Sequence, residues 1–255
     1  MNTTARRAVI VKLLKKYNSV KTVELCKTLN VTRETVRRDL YYLEKQNIAR
    51  TIRGGAILNV ALNETNYERR LHHNVKIKQL IAEQFCKYVH KGDTVYLDYG
   101  TTSLAVAKIL HTQSELTVIT NSIPIINELY KTRGLNLIVL GGAVRQNEGS
   151  LYGLDAIQAL RHLNINIGFF SGSGIDLAKG LSNHHIGESQ LTRQALQQSQ
   201  IKVVGVEHEK FNKVFTNHIM LIQDIDILIT DQLTDAALIN ALNQQTHLDQ
   251  VNIMD

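Results

Sequence analysis

The chain has 255 residues, 44% of them hydrophobic, which is enough for two cored domains, and a formal net charge of +6. There is no run of about eighteen apolar residues and no hydrophobic amino-terminal stretch behind a basic start, so neither a helical membrane span nor a secretory signal is expected, and a cytoplasmic location is. Two solitary cysteines, Cys26 and Cys86, sit in apolar helical contexts and read as packing residues rather than as a disulfide or metal site.

In chain order, a first helix is expected over residues 5–17, with Val9, Leu13 and Leu14 turned inward and Asn18-Ser19 as its terminating turn. A second helix, capped by Thr22 and running to about Leu29, offers Val23, Leu25 and Cys26 to the same core, and Asn30-Val31 forms a tight turn. Thr32 is the natural N-cap of a third helix. Its sequence, TRETVRRDL, puts Val36, Leu40 and Leu43 on one face, with Glu34, Arg38, Tyr41 and Lys45 opposite and Thr35 and Arg37 on the flanks. After Asn47 a two-stranded hairpin is expected over 48–53 and 56–58, closed by Gly54-Gly55, with Arg50 and Arg53 on it.

This is the pattern of a helix-turn-helix with a wing. Thr32, Arg33, Thr35, Arg37, Arg38 and Tyr41 would face the bases and phosphates of duplex DNA, and Arg50, Arg53, Gly54 and Gly55 the backbone beside them. A charged helix face is more often merely solvated, so the distribution of charge decides. Residues 1–60 hold thirteen Lys or Arg against four acids, while the remainder has sixteen basic and nineteen acidic residues. Positive charge gathered at one end suits counterion release from a polyanion.

The polar stretch 59–74 reads as a linker or the start of a connecting helix, and a helix follows over 76–89. Beyond Gly92, strands expected at 94–98, 116–120, 135–140, 165–170, 201–206 and 225–231 alternate with helices at 104–110, 123–129, 157–163, 190–198 and 236–243. That order implies a parallel sheet covered on both faces, with ligands at the carboxyl ends of its strands. Small polar residues fall at those ends: Asp98 with Gly100, Thr101, Thr102 and Ser103, then Asn121-Ser122, Gly141-Gly142 and Ser173-Gly174. Converging N–H groups, hydroxyls and a helix N-terminus favour an anion, with Arg145, Lys179, Arg193 and Lys210 as the nearest cations in sequence.

On these residues the chain resembles the DeoR family of transcriptional regulators. TVRRDL at 35–40 and RTIRGGA at 50–56 carry the amino-terminal pattern. LDYGTT at 97–102, VITNS at 118–122, LGG at 140–142, GID at 174–176 with Gly180-Leu181, Lys210-Phe211 and DID at 224–226 carry the carboxy-terminal one. The resemblance implies an α/β chain: a winged helix-turn-helix over 1–58, a linker over 59–75, and over 76–255 a Rossmann-like parallel-sheet sensor similar to sugar-phosphate isomerases. It implies a repressor of a sugar or sugar-alcohol (PTS-type) utilisation operon, a homodimer or homotetramer on double-stranded operator DNA, with a phosphorylated sugar as effector and Lys210 among its ligands. The isomerases' acidic loop residues are replaced here by Phe170 and Ser173, so no catalytic residue is expected. Where family regulators show an aspartate, a small residue and a serine before the lysine, this chain has Glu207, His208 and Glu209. Neither a cofactor nor a metal is expected; His184, His185, His208 and Glu188 could suggest one, but adjacent histidines point different ways.

Overall fold

The computed structural model describes residues 2–17, 19–46, 48–58, 67–112 and 115–252. They fall into two compact units, Met1–Thr65 and Asn66–Asp255. The turns expected at Asn18 and Asn47, and segment 59–66 of the expected linker, lie outside the described residues.

The first unit runs α1 (Thr3–Tyr17), β1 (Ser19–Lys21), α2 (Thr22–Leu29), α3 (Arg33–Lys45), β2 (Ala49–Ile52) and β3 (Gly55–Leu58). Its core is formed by Ile10 and Leu14 of α1, Leu25 and Leu29 of α2, Val36, Leu40 and Leu43 of α3, and Val20, Ala49 and Ala56 of the strands. The i, i+4 spacing places 10 with 14 and 25 with 29 on one face. Val9 and Leu13 are therefore only half-buried flanks, and Val23, expected inside, is 46% exposed. Thr22 does not cap α2: Lys21 is the N-cap, and the Thr22 N–H donates to the Gly54 carbonyl at 2.9 Å.

The hairpin is part of a three-stranded antiparallel sheet, ordered β1-β3-β2, because β1 adds to its inner edge. That edge accounts for the two glycines. Gly54 makes the turn at φ +89°, whereas Gly55 is a buried strand residue where a Cβ would stand 2.0 Å from the Val20 carbonyl oxygen.

The second unit begins with α4 (Tyr67–Leu71) and α5 (Val75–Cys86) and continues β4 (Thr94–Leu97), α6 (Thr101–Leu110), β5 (Leu116–Thr120), α7 (Ile123–Leu129) and β6 (Leu135–Val139). A small hairpin, β7 (Ala143–Arg145) and β8 (Ser150–Tyr152), precedes α8 (Leu154–Leu160) and β9 (Ile165–Phe170). After a second hairpin, β10 (Gly174–Asp176) and β11 (Gly180–Asn183), come α9 (Ile186–Gln198), β12 (Ser199–Gly205), β13 (Asn217–Met220), β14 (Ile227–Asp231), α10 (Ala236–Asn243) and β15 (His247–Val251).

Seven strands form one parallel sheet in the order β15-β14-β12-β9-β4-β5-β6. Alternation along each strand feeds two cores. Val95, Leu97, Ile167, Phe169 and Val203 pack with Ile81 and Phe85 of α5 and Val106 and Leu110 of α6. Tyr96, Phe170, Val204 and Leu228 pack on the other face with Leu160 of α8, Leu191 and Ala195 of α9 and Leu242 of α10. The chain enters at β4, winds outward through β5 and β6, then returns to pair β9 with the other edge of β4. The reversal point of this doubly wound order is the gap between β4 and β9, where such sheets open a crevice.

Candidate DNA interface and candidate effector crevice

Thr32 caps α3 as its sequence requires, its hydroxyl accepting from the Thr35 N–H at 3.3 Å, with the Thr32 and Thr35 hydroxyls 3.0 Å apart. From that cap, Arg33, Arg37 and Arg38 project as exposed side chains and Thr35 is half-buried. Arg38 lies 3.8 Å from Glu34, a solvated pair worth little, and Tyr41 is 58% exposed with the Lys45 ammonium 4.9 Å from its ring centre. Arg50, Arg53 and Gly54 are exposed on the wing. Gly55 has no such surface: it is buried beneath β1, so its part is packing, not contact with a ligand. The wing is tied to α3 by the Glu44 carboxylate, which accepts from the Thr51 N–H at 2.7 Å and the Thr51 hydroxyl at 2.6 Å.

One residue inside the TVRRDL motif does something the helical pattern conceals. Asp39 is 1% exposed and accepts from Arg6 Nε at 2.5 Å and Arg7 Nε at 2.8 Å, both from α1. The Arg7 guanidinium also lies 3.6 Å from the Tyr42 ring centre. Burial would raise the Asp39 carboxyl, but the two guanidiniums outweigh it and hold it below the usual aspartate range. These bonds fix the orientation of α3 against α1.

In the second unit two of the four polar strand ends, those after β4 and β9, are joined at the β4/β9 gap. Gly100, at φ +113° and with open space where a Cβ would stand, is the N-cap of α6. The helix starts at Thr101 rather than at the expected 104, so Thr101, Thr102 and Ser103 form its first turn, all buried. Asn183 donates to the Tyr99 hydroxyl at 3.0 Å and accepts from the Ser173 N–H at 2.7 Å, joining the loop after β4 to the loop after β9. Gly174 opens β10 beside them, and Lys210 reaches Ser171 Oγ at 3.3 Å. Asp98 is fully enclosed, accepting from the Thr192 hydroxyl at 3.0 Å and the Tyr96 hydroxyl at 3.3 Å. Burial, reinforced by the nearby Glu188 charge, pushes its carboxyl up to about 8 against those bonds.

Asn121 and Ser122, at the end of the neighbouring strand β5, lie under β8: the Asn121 amide donates to the Leu151 carbonyl at 2.8 Å. Asn121 Oδ1 and Ser122 Oγ are buried without a hydrogen-bond partner among the described residues. Gly141 and Gly142 are farther out, exposed where they lead into β7, with Gly142 against the Tyr152 backbone. Of the four cations nearest in sequence, Lys210 reaches the loop after β9. Arg145 pairs with Glu188, Arg193 donates to the His218 carbonyl at 2.5 Å, and Lys179 is exposed in the β10–β11 turn.

Segment 67–74 ties both sides of the crevice together. The Arg70 side chain pairs with Glu148 in the β7–β8 turn, while the Arg70 and His73 carbonyls receive the buried ammonium of Lys78, the latter at 2.7 Å. Lys78 faces Glu207 at 3.6 Å, and His73 pairs with Glu209 at 3.0 Å, both past the end of β12. Lys78 escaped the sequence reading, which noted Glu207 as a departure from the family pattern but not its pairing with Lys78; the available signal was a lysine next to Ile77 on the inward stripe of α5. The side chains considered for a metal are engaged separately: His184 on the Phe215 ring, His185 capping α9 beside Glu188, and His208 on Asp231. Among the described residues no group of three or more His, Cys, Asp or Glu is arranged to hold one.

A winged helix-turn-helix followed in the same chain by a doubly wound α/β unit with small polar residues gathered at its switch point defines a class of two-part regulator. Residues 6–61 match the DeoR-like helix-turn-helix domain and residues 73–232 the DeoR C terminal sensor domain. The chain belongs to the DeoR family of DNA-binding transcriptional regulators.

It is 32% identical to the HTH-type transcriptional regulator GolR of Listeria innocua over 91% of this chain and 92% of that protein. It is 32% identical to the HTH-type transcriptional repressor GlcR of Bacillus subtilis (94% and 92%), and 29% identical to the glycerol-3-phosphate regulon repressor of Escherichia coli (91% and 92%). These relatives are regulators, not enzymes. Among solved structures, the chain is similar to ribose 5-phosphate isomerase from Plasmodium falciparum at a TM-score of 0.40 and 19% identity over 54% and 53% of the two chains, a likeness that says nothing about activity. No helix among the described residues is long and apolar enough to cross a membrane.

Proposed function

We propose that this protein represses a sugar or sugar-alcohol utilisation operon, and that a phosphorylated sugar bound in its second unit changes its affinity for operator DNA. In this reading Thr32, Arg33, Thr35, Arg37, Arg38 and Tyr41 of α3 contact bases and phosphates in the major groove, and Arg50, Arg53 and Gly54 hold the sugar-phosphate backbone through the wing. A homodimer or homotetramer would place paired α3 helices on symmetric half-sites. The effector's phosphate would lie at the first turn of α6, among Gly100, Thr101 and Thr102, with Ser173, Gly174 and Lys210 across the gap.

The observation that carries the reading is the convergence of an open, glycine-capped helix N-terminus with Lys210 at the sheet's switch point. The names of the relatives, a glycerol-3-phosphate regulon repressor among them, support the same class of ligand. The test selects an operator from random duplexes with the full chain, then measures its affinity by fluorescence anisotropy against a panel of sugar phosphates and the parent sugars. At least one phosphate ester should change affinity about tenfold, within the usual range of coupling between sites. A panel in which no phosphate ester alters either operator affinity or the thermal midpoint sinks the proposal.

A further inference from the structure

Three charged side chains meet at the carboxyl end of β12: Lys78 from α5, and Glu207 and Lys210 from the segment after the strand. Glu207 Oε1 lies 3.6 Å from Lys78 Nζ, and Glu207 Oε2 lies 3.0 Å from Lys210 Nζ. Two cations share one carboxylate, so the cluster carries an excess positive charge in a place where both Lys78 and Glu207 are 4% exposed. Burial alone would raise the Glu207 carboxyl, yet Lys210 and Lys78 hold it at about 2, so it is ionised at neutral pH.

The two contacts are unequal. The Lys78 ammonium is fixed by the Arg70 and His73 carbonyls as well as by Glu207. Among the described residues Lys210 makes only a long bond to Ser171 Oγ, at 3.3 Å, and its approach to Glu207 Oε2 at 3.0 Å lacks hydrogen-bond geometry, leaving that buried oxygen without a hydrogen-bond donor there. A charge pair without its hydrogen bond keeps the desolvation cost and loses part of the return.

We infer that Glu207 sets the anion affinity of the effector crevice: it stands on Lys210 as an internal counterion, and an anionic group of the effector takes its place there while Glu207 stays with Lys78. The exchange turns two cations with one anion into two cations with two, which is favoured where dielectric screening is weak. An uncharged sugar has no group that can replace a carboxylate on an ammonium, so it leaves the pair standing. The inference rests on the effector-site reading and adds what sets the strength of anion binding there: every anion that takes Lys210 must first displace Glu207 from it.

The test uses the full chain with inorganic phosphate as probe, its affinity taken from thermal midpoints across a phosphate titration and checked by calorimetry. Glu207→Gln keeps the shape and removes the competing charge, and should bind phosphate about tenfold more tightly than the wild type, the scale of one close charge pair. Glu207→Asp retains a charge for folding but withdraws it by one methylene, and should give a smaller gain, so the outcome does not depend on the Gln variant folding. Lys210→Met should lose the binding. Equal affinity in the wild type and both Glu207 variants overturns the inference alone, whereas binding that survives Lys210→Met unchanged overturns the inference and also removes Lys210 from the proposed effector site. Phosphate binding by none of these proteins removes the crevice reading and the inference together.

Discussion

Each unit encloses a carboxylate between two cations, and the two arrangements differ in how completely that carboxylate is satisfied. Asp39 takes a hydrogen bond from each of two guanidiniums, at 2.5 and 2.8 Å, and joins two helices of the DNA-binding unit. Glu207 has one lysine at 3.6 Å and another at 3.0 Å whose angle forms no hydrogen bond. Guanidinium forks suit a fixed joint, since each N–H direction is set by a rigid plane. Ammonium groups on flexible stems suit a place where one anion gives way to another. The same charge inventory thus makes a permanent fastening in one unit and, on our reading, an exchangeable one in the other.

The comparison breaks most visibly at the crevice mouth. Thr101→Glu sets a carboxylate at the first turn of α6, where the effector's anion would lie, and should abolish the response to sugar phosphates while operator affinity without effector stays within about twofold of wild type. Arg38→Ala should do the reverse, weakening operator binding by about tenfold or more with phosphate affinity unchanged, as expected for loss of a base or phosphate contact. Anisotropy and calorimetry on the full chain read both variants, and a change in both affinities for either one would mean that the two functions are not separable as drawn.

The pH dependence of the two units should have opposite signs. The Asp39 carboxyl is held below its ordinary value, so its contribution is present above the unfolded value of about 3.9 and is lost as pH falls toward the native one. Asp98 is pushed up to about 8, so its contribution is full below that unfolded value and drains away as pH rises through about 8. Amide hydrogen exchange across pH 5 to 9 should show protection falling in the second unit but level in the first. Asp98→Asn should flatten the fall, and a slope unchanged in that variant removes Asp98 as its source.

The smallest expected effect sharpens the first unit. Glu44→Ala frees the Thr51 side of the wing from α3 and should weaken operator binding by about threefold, as for one lost hydrogen-bond tie, with an unchanged salt slope because no phosphate contact is removed. Arg53→Ala should instead reduce that slope by about one.

Much of this architecture could be read from the residues. The buried parallel strands are apolar on both faces, so β4, β5, β9, β12 and β14 stood out, and Thr32 announced α3 through cap chemistry. What escaped is short, polar or dependent on distant partners. β1 has three residues and exists because β3 offers it an edge, which also gives Gly55 a meaning that a turn rule could not supply. β15, at the sheet's edge, carries His247, Asp249 and Gln250 and has no apolar run to betray it. The hairpins β7–β8 and β10–β11 are three or four residues per strand. Asp39 and Lys78 look like surface charges until the helices that bury them are packed, and the pairing of Lys78 with Glu207 spans most of the second unit.

The placement of β4 at the middle of the sheet has a consequence for biosynthesis. The reading head is complete once β3 has left the ribosome, with local contacts only, and can acquire its shape while the rest is still being made. β4 emerges early but waits for β9 to cover its second edge, so the crevice cannot exist until translation is well past the midpoint. On the proposed reading, a chain stopped in that interval would hold the cationic head without the crevice that is to govern it.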